Sequence, residues 1–260
     1  MIGIFDSGVG GMTVAQAVER LLPDYAITYF GDIARTPYGN KSMATISRYS
    51  LENAAFLQKK GAELIIIACN SAASAATERL RSELDIPVLE VISPAVDQAV
   101  KQTRTGRIGV IGTRATVRST IYEQKIMAGR HHLRVFSKAC PLLVPLVEEG
   151  WINRRETKMI LRRYLHPLKN QQIDTLVLGC THYPLLKKLI QARIGKRVRL
   201  IDSSTATALA IRDYLQANPG QVTKNSGHRS QHRYYVSDLT DGANKIAERI
   251  FHRPMELIPI

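Results

Sequence analysis

Three cysteines in 260 residues, an odd number with no CxxC pair, cannot build a disulfide framework, so Cys69, Cys140 and Cys180 read as reduced thiols. Long apolar runs are missing as well: the longest, such as 64–69, falls far short of the roughly 18–20 residues that a bilayer span needs, so no membrane crossing is expected. Neither a basic segment nor a long apolar one precedes Met1-Ile2-Gly3-Ile4-Phe5, which reads as a first strand and not as a leader; a cytoplasmic protein is expected. The GVGG at Gly8 to Gly11 lacks the third glycine of a dinucleotide fingerprint, and no phosphate-loop lysine follows it. That argues against a nucleotide, and no cofactor is expected. Zinc has weak support, since Cys180 and His182 form a CxH pair without a second close ligand pair.

What the chain does have is enough apolar content, 45%, to fill a core, distributed as apolar strands that alternate with helical patterns. That alternation is the mark of βαβ units and a mostly parallel sheet. Residues 2–5 form a strand, DSGVGG a turn, and 13–22 a helix with Val14, Val18, Leu21 and Leu22 on one face before Pro23 ends it. The opening then recurs. IGIFDSGVGGMTV from Ile2 answers IGVIGTRATVRST from Ile108; ITYFGD from Ile27 answers LRVFSK from Leu133; IIIACNSAAS from Ile65 answers LVLGCTHYPL from Leu176; and VLEVISPAVDQAV from Val88 answers VRLIDSSTATALA from Val198. Four units repeated in one order at near-constant spacing imply an α/β protein of two similar, pseudo-symmetric lobes. Each lobe is a mostly parallel sheet flanked by helices, with a site in the cleft between them. The expected division is 1–92 plus 206–260 for the first lobe and 93–205 for the second. The tail is read as a helix (206–215), a polar stretch (218–230), a strand (233–237) and a last helix carrying Ile246 and Ile250, returning to complete the first lobe.

Ligands of parallel α/β sheets bind beyond the carboxyl ends of the strands. There each lobe contributes one thiol at an equivalent place, Cys69 and Cys180, immediately after its third strand. Related by a pseudo-twofold axis, two sulfurs approach one ligand from opposite faces, which suits removal of a proton from one face of a carbon and its return to the other. Taken alone, a cysteine at a strand end is a small buried hydrophobe; pairing at repeat-equivalent sites favours catalysis, and Cys140, with no repeat partner, keeps the structural reading. A thiol base needs a neighbour that tunes it. His182 stands beside Cys180, and Asp6 lies at the first-strand tip of the lobe holding Cys69, with helix capping and an ordinary loop histidine as the plainer alternatives. Asn70, Ser71, Thr181, Ser7, Thr113 and Thr116 place hydroxyl and amide groups near helix starts, where backbone N–H groups favour a carboxylate; singly each suits a cap, together they suit a small anionic ligand.

These residues resemble those of the cofactor-independent glutamate racemases of the aspartate/glutamate racemase superfamily, along nearly the whole chain. FDSGVGGMTV, DIARTPYG at 32–39, ACN, PLVEEG and GCTHYPLL occur in that family's order. The resemblance implies that Cys69 takes the α-proton of D-glutamate and Cys180 that of L-glutamate. It implies assisting roles for Asp6, Glu148 and His182, and substrate contacts for Asp6, Ser7, Tyr38, Gly39, Asn70, Ser71, Thr181 and His182. Thr113, Thr116 and Ser119 match polar residues lining the site, and the product would feed peptidoglycan synthesis. Where the family usually reads CNTAS, this chain has Ser71, which keeps the hydroxyl and loses a methyl. Related aspartate racemases usually carry glutamate at the place of His182, which favours glutamate as substrate here. Because Met1 abuts the first strand, the N-terminal extension with which some members respond to a cell-wall precursor is expected to be absent.

The net charge of +14 is not spread evenly: residues 93–205 hold 21 of the 36 Lys+Arg and 7 of the 22 Asp+Glu, which leaves the remainder neutral. Arg154-Arg155, Arg162-Arg163, Lys187-Lys188 and Lys196-Arg197 sit away from the strand tips. A solvated basic face is the plain reading; polyanion contact through the second lobe is the sharper one, although no nucleic-acid fold or stacking motif accompanies it. A homodimer is also expected. A sibling racemase or a thiol-dependent lyase or decarboxylase on the same scaffold, and a nucleic-acid-binding module, are the alternative functions.

Overall fold

A computed structural model describes residues 1–224 and 232–260. In chain order the first unit is β1 (Ile2–Asp6), α1 (Met12–Leu21), β2 (Ile27–Gly31), α2 (Met43–Lys59), β3 (Leu64–Ile67), α3 (Asn70–Glu83), β4 (Val88–Glu90) and α4 (Ile92–Gln102). The second is β5 (Arg107–Gly112), α5 (Arg114–Arg118), α6 (Ile121–Met127), β6 (Arg134–Ala139), α7 (Leu143–Glu148), α8 (Arg155–Asn170), β7 (Thr175–Gly179), α9 (Lys187–Ile194) and β8 (Arg199–Asp202). The tail adds α10 (Ser203–Ala217), β9 (Arg233–Val236), α11 (Asp241–Phe251) and β10 (Leu257–Pro259). Part of the polar stretch expected at 218–230 falls outside the described residues.

Two parallel sheets result, one ordered β10-β9-β2-β1-β3-β4 and the other β6-β5-β7-β8. The order β2-β1-β3-β4 repeats as β6-β5-β7-β8, so the sequence repeat is a repeat of topology. The strand at 233–236 joins the first sheet beside β2, and β10, a three-residue strand, forms the edge beyond it. Strand registers also correct two of the four correspondences. With Ile2 set against Ile108, Leu64 answers Thr175 as the repeat implied. Ile27, however, answers Val135 and not Leu133, and Val88 answers Leu200 and not Val198. Each slip is two residues, which leaves every side chain on the same face and so escapes an alignment of apolar patterns.

Central strands β1, β3 and β7 are buried from end to end, as both faces of a parallel sheet are covered by helices. One apolar core runs from the first sheet through Ala95, Val96 and Ala99 of α4 and Ala208 and Ile211 of α10 to Ile108, Val110 and Val177 of the second. A second core fills the far face of the second sheet, with Leu161, Leu165, Leu176, Leu178 and Ile190. The continuous core joins the sheets so that their strand tips meet, and the helix starts there are capped by side chains: Thr113 accepts from Thr116 N, and Asp202 from Ser204 N. Among the described residues no helix is long and apolar enough to cross a membrane.

Candidate active site

Cys69 and Cys180 leave their strands into different local structures. Cys69 is the N-cap of α3, its Sγ accepting from Ala72 N at 3.5 Å. Cys180 enters a tight turn through His182, after which Tyr183–Leu186 forms a single 3-10 turn opened by Pro184. Both are 5% exposed, and both line one cavity of about 20 Å³, room for about one water molecule. Ser7, Tyr38, Gly39, Asn70, Ser71, Thr113, Thr181 and His182 line it with them. Asp6, Thr116 and Glu148 stand one contact behind. Thr36, Pro37 and Val144 complete the lining without having been singled out; Thr36 and Pro37 lie within the matched motif at 32–39, whereas Val144 carries no sequence signal. Cys140 is fully buried in the second core and lines nothing here, in keeping with its structural reading. A much larger cleft, about 1280 Å³, lies on the other side of Thr13 and Ser204 and holds neither thiol.

Residues of the two lobes interlock around the small cavity. Ser71 Oγ and Thr113 Oγ1 are 2.8 Å apart, Thr181 Oγ1 donates to Asp6 Oδ1 at 3.3 Å, and Thr13 Oγ1 donates to the Thr181 carbonyl at 3.3 Å. Gly10 makes this approach possible, since a Cβ there would stand 2.4 Å from His182 Nδ1; a Cβ on Gly11 would strike Asp6 Cβ at 2.3 Å. Thr116 serves Thr113, at 3.2 Å between hydroxyls, and Tyr38 turns its hydroxyl to Asp32 and to Asn53 Nδ2 (3.0 Å), so that hydroxyl is already committed.

The two sulfurs face opposite electrostatics. Burial, reinforced by the Asp6 carboxylate, pushes the Cys69 thiol up to about 12 despite hydrogen bonds with Ser7 Oγ (3.4 Å) and Ala72 N. Burial likewise raises Asp6, against the pull of His182 and of the Gly11 and Gly8 amides, with Gly8 N donating to Oδ2 at 3.0 Å. For His182 burial works downward, but Cys180, 4.0 Å from Nδ1, and Glu148 outweigh it and push the imidazole up to about 10. Nε2 lies 3.2 Å from Glu148 Oε1, close enough for an ion pair yet out of line for a hydrogen bond. His182 is 3% exposed and so not a solvated histidine, and Asp6 does not cap α1, whose N-cap is Gly11. Asn70 Nδ2 and His182 Nε2 are two of the three buried side-chain atoms among the described residues that make no hydrogen bond, and of these Nε2 is paired with Glu148. An unmatched buried donor is costly, by about 1–3 kcal/mol, and at the cavity wall the Asn70 amide suits an anionic ligand. No group of three or more His, Cys, Asp or Glu among the described residues is arranged to hold a metal ion.

Comparison with known proteins bears on this geometry. The Asp/Glu/hydantoin racemase family model matches residues 12–211. The chain belongs to that family. It is 45% identical to the glutamate racemase of Geobacter metallireducens over 95% of this chain and 91% of that one. The crystal structure of glutamate racemase isoform RacE1 from Bacillus anthracis superposes with a TM-score of 0.95 at 37% identity, covering 100% of this chain and 97% of that one. The glutamate racemase of Francisella tularensis in complex with D-glutamate gives 0.91 at 34% identity, over 100% and 96%. The resemblance read from the motifs and the two-lobed α/β architecture are both borne out.

Proposed function

We propose that the protein interconverts L- and D-glutamate by proton transfer at the α-carbon between two cysteines, without a cofactor. The observation that carries this reading is the pair of thiols at repeat-equivalent strand ends, lining one closed cavity from opposite lobes. Cys180, beside a protonated His182, takes the α-proton of L-glutamate as a thiolate; the Cys69 thiol then gives its own proton to the opposite face, yielding D-glutamate and a Cys69 thiolate. D-glutamate reacts by the same steps reversed. Between turnovers the proton inventory is reset through Asp6 on one side and through His182 and Glu148 on the other. Asn70, Ser71, Thr113, Thr181, Ser7 and the Tyr38-Gly39 backbone would hold the substrate, with Thr116 supporting Thr113. A five-carbon amino acid exceeds the present cavity, so its lining must move apart to admit one.

The lobes would divide at about 93 and 206. D-glutamate made in the cytoplasm would serve peptidoglycan synthesis. A homodimer fits the exposure of Leu142 (49%), Trp151 (44%) and Met159 (60%) on the second lobe, and light scattering decides it. A second reading, polyanion contact, is favoured by the exposure of Arg154, Arg155, Arg162, Arg163, Lys187 and Lys188; duplex DNA that fails to bind even at low salt would remove it.

The main test is proton NMR with L- and, separately, D-glutamate in D2O, alongside circular dichroism. Loss of the α-proton signal with loss of optical activity from both enantiomers, and little from aspartate, is the expected result; no exchange from either overturns the reading.

A further inference from the structure

Tyr122 was not among the residues singled out, yet it touches both thiol loops. It is carried by α6 of the second lobe and is 1% exposed. Its hydroxyl donates to Oδ1 of Asn70, the residue after Cys69, at 2.7 Å. Its ring lies against the backbone of Gly179, the residue before Cys180: a Cβ built there would meet Tyr122 Cε2 at 3.2 Å and the Ile111 carbonyl at 2.9 Å. One side chain therefore bridges the segments that carry the two sulfurs.

We propose that Tyr122 is a positioning residue for the racemase reaction, fixing the Asn70 amide with its NH2 toward the substrate carboxylate and bracing the Gly179-Cys180 backbone. The inference rests on the racemase reading above. A phenol can donate or accept, so the direction of the bond to Asn70 needs an argument. If Asn70 turned over, its NH2 would donate to Tyr122, the phenolic proton would be left buried without an acceptor, and the amide oxygen would face a substrate carboxylate. In the arrangement observed the phenol proton is used, the amide oxygen is satisfied, and the buried Nδ2 remains free for an anion. Burial pushes ionisation of Tyr122 far up, so the hydroxyl keeps the proton it donates. Glu90, the carboxylate that acts on it, is occupied by the N–H groups of Ile92 and Ser93.

The test is Tyr122→Phe, which removes the hydroxyl and keeps the ring on Gly179. KM for both glutamate enantiomers is expected to rise about 10-fold with kcat within about 2-fold, the size of one lost orienting hydrogen bond. In an Asn70→Ala background the same change should raise KM by less than about 2-fold, because the group through which Tyr122 acts is gone. The order parameter of the Asn70 side-chain Nδ2, from nitrogen-15 relaxation, should fall in Tyr122→Phe; this readout needs no turnover. Tyr122→Leu, which also removes the ring, should lower kcat further. An equal KM rise in both backgrounds, or an unchanged KM with an unchanged Nδ2 order parameter, overturns the proposal. Absence of racemisation by the unsubstituted protein would instead remove the racemase reading, with the relaxation result still deciding whether Tyr122 holds Asn70.

Discussion

The two lobes share strand order and thiol position but not the surroundings of the thiol. Around Cys180 the neighbour is an imidazolium, and the chain Cys180, His182, Glu148 ends at a carboxylate 30% exposed to solvent. Around Cys69 the neighbour is Asp6, a carboxylate with no exposed surface, held by Gly8 N and Thr181. One carboxylate opens to water and the other is sealed. A pseudo-symmetric fold has thus set its two thiols in opposite surroundings: Cys180 beside a cation, and Cys69 raised by burial and an anion. A racemase needs that difference, since an acid and a base must face the same carbon at the same moment.

Removing one sulfur breaks the comparison most severely. Cys69→Ala and Cys180→Ala should each reduce racemisation by at least roughly 10³, because general acid and general base contributions run to about that size. What should survive is one-sided: Cys180→Ala in D2O should still wash out the α-proton of D-glutamate and not of L-glutamate, and Cys69→Ala the converse. Washout of the same enantiomer by both variants would show that the sulfurs do not face opposite sides of the substrate.

A smaller effect, roughly 10²-fold on kcat/KM, is expected from removing either relay partner. Mirror-image substrates have equal free energies in water, so kcat/KM must fall equally in both directions and cannot by itself report which thiol was impaired. Isotope effects can. His182→Asn should slow the Cys180 step; under the proposed assignment the effect of α-deuteration should then rise for L-glutamate and fall for D-glutamate. Asp6→Asn should do the opposite. Changes of the same sign in both variants would mean that the relays are not assigned one to each thiol.

Much of this was legible in the sequence, for identifiable reasons. Parallel strands buried on both faces are uninterrupted apolar runs, so LIII at 64–67 and LVL at 176–178 announce themselves, and the repeat then places Cys69 and Cys180 together without any structure. The two-residue slips at β2 and β4 were illegible because they alter no side chain's face, and β10 because three edge residues ending in Pro259 carry almost no pattern. Val144 and Tyr122 were missed for a different reason. They reach the site by topology alone, Tyr122 lying 52 residues from the Asn70 it holds, and neither belongs to the quoted motifs. Tyr38, which the motif offered as a ligand contact, lines the cavity while its hydroxyl turns to Asp32.

Ser71 tests the comparison most gently, at the seam itself. It is 2% exposed, and its hydroxyl is 2.8 Å from that of Thr113 in the other lobe. Ser71→Ala should cost about 1 kcal/mol of the hydrogen bond and raise KM by about 5-fold, since the Thr113 hydroxyl loses its partner across the seam. Ser71→Thr restores the residue usual in glutamate racemases and keeps the hydroxyl, so the bond can re-form while the added methyl enters a cavity wall with little spare room. Tight packing there is expected to limit the change in kcat/KM to about 3-fold in either direction, as volume changes of one methyl in a close-packed site are felt but accommodated. The informative readout is the ratio of glutamate to aspartate turnover. A ratio unchanged within that margin means that only the hydroxyl at this position serves the seam; a shift beyond about 10-fold would mean that the missing methyl, and not the polar contact, sets which dicarboxylic amino acid the closed cavity accepts.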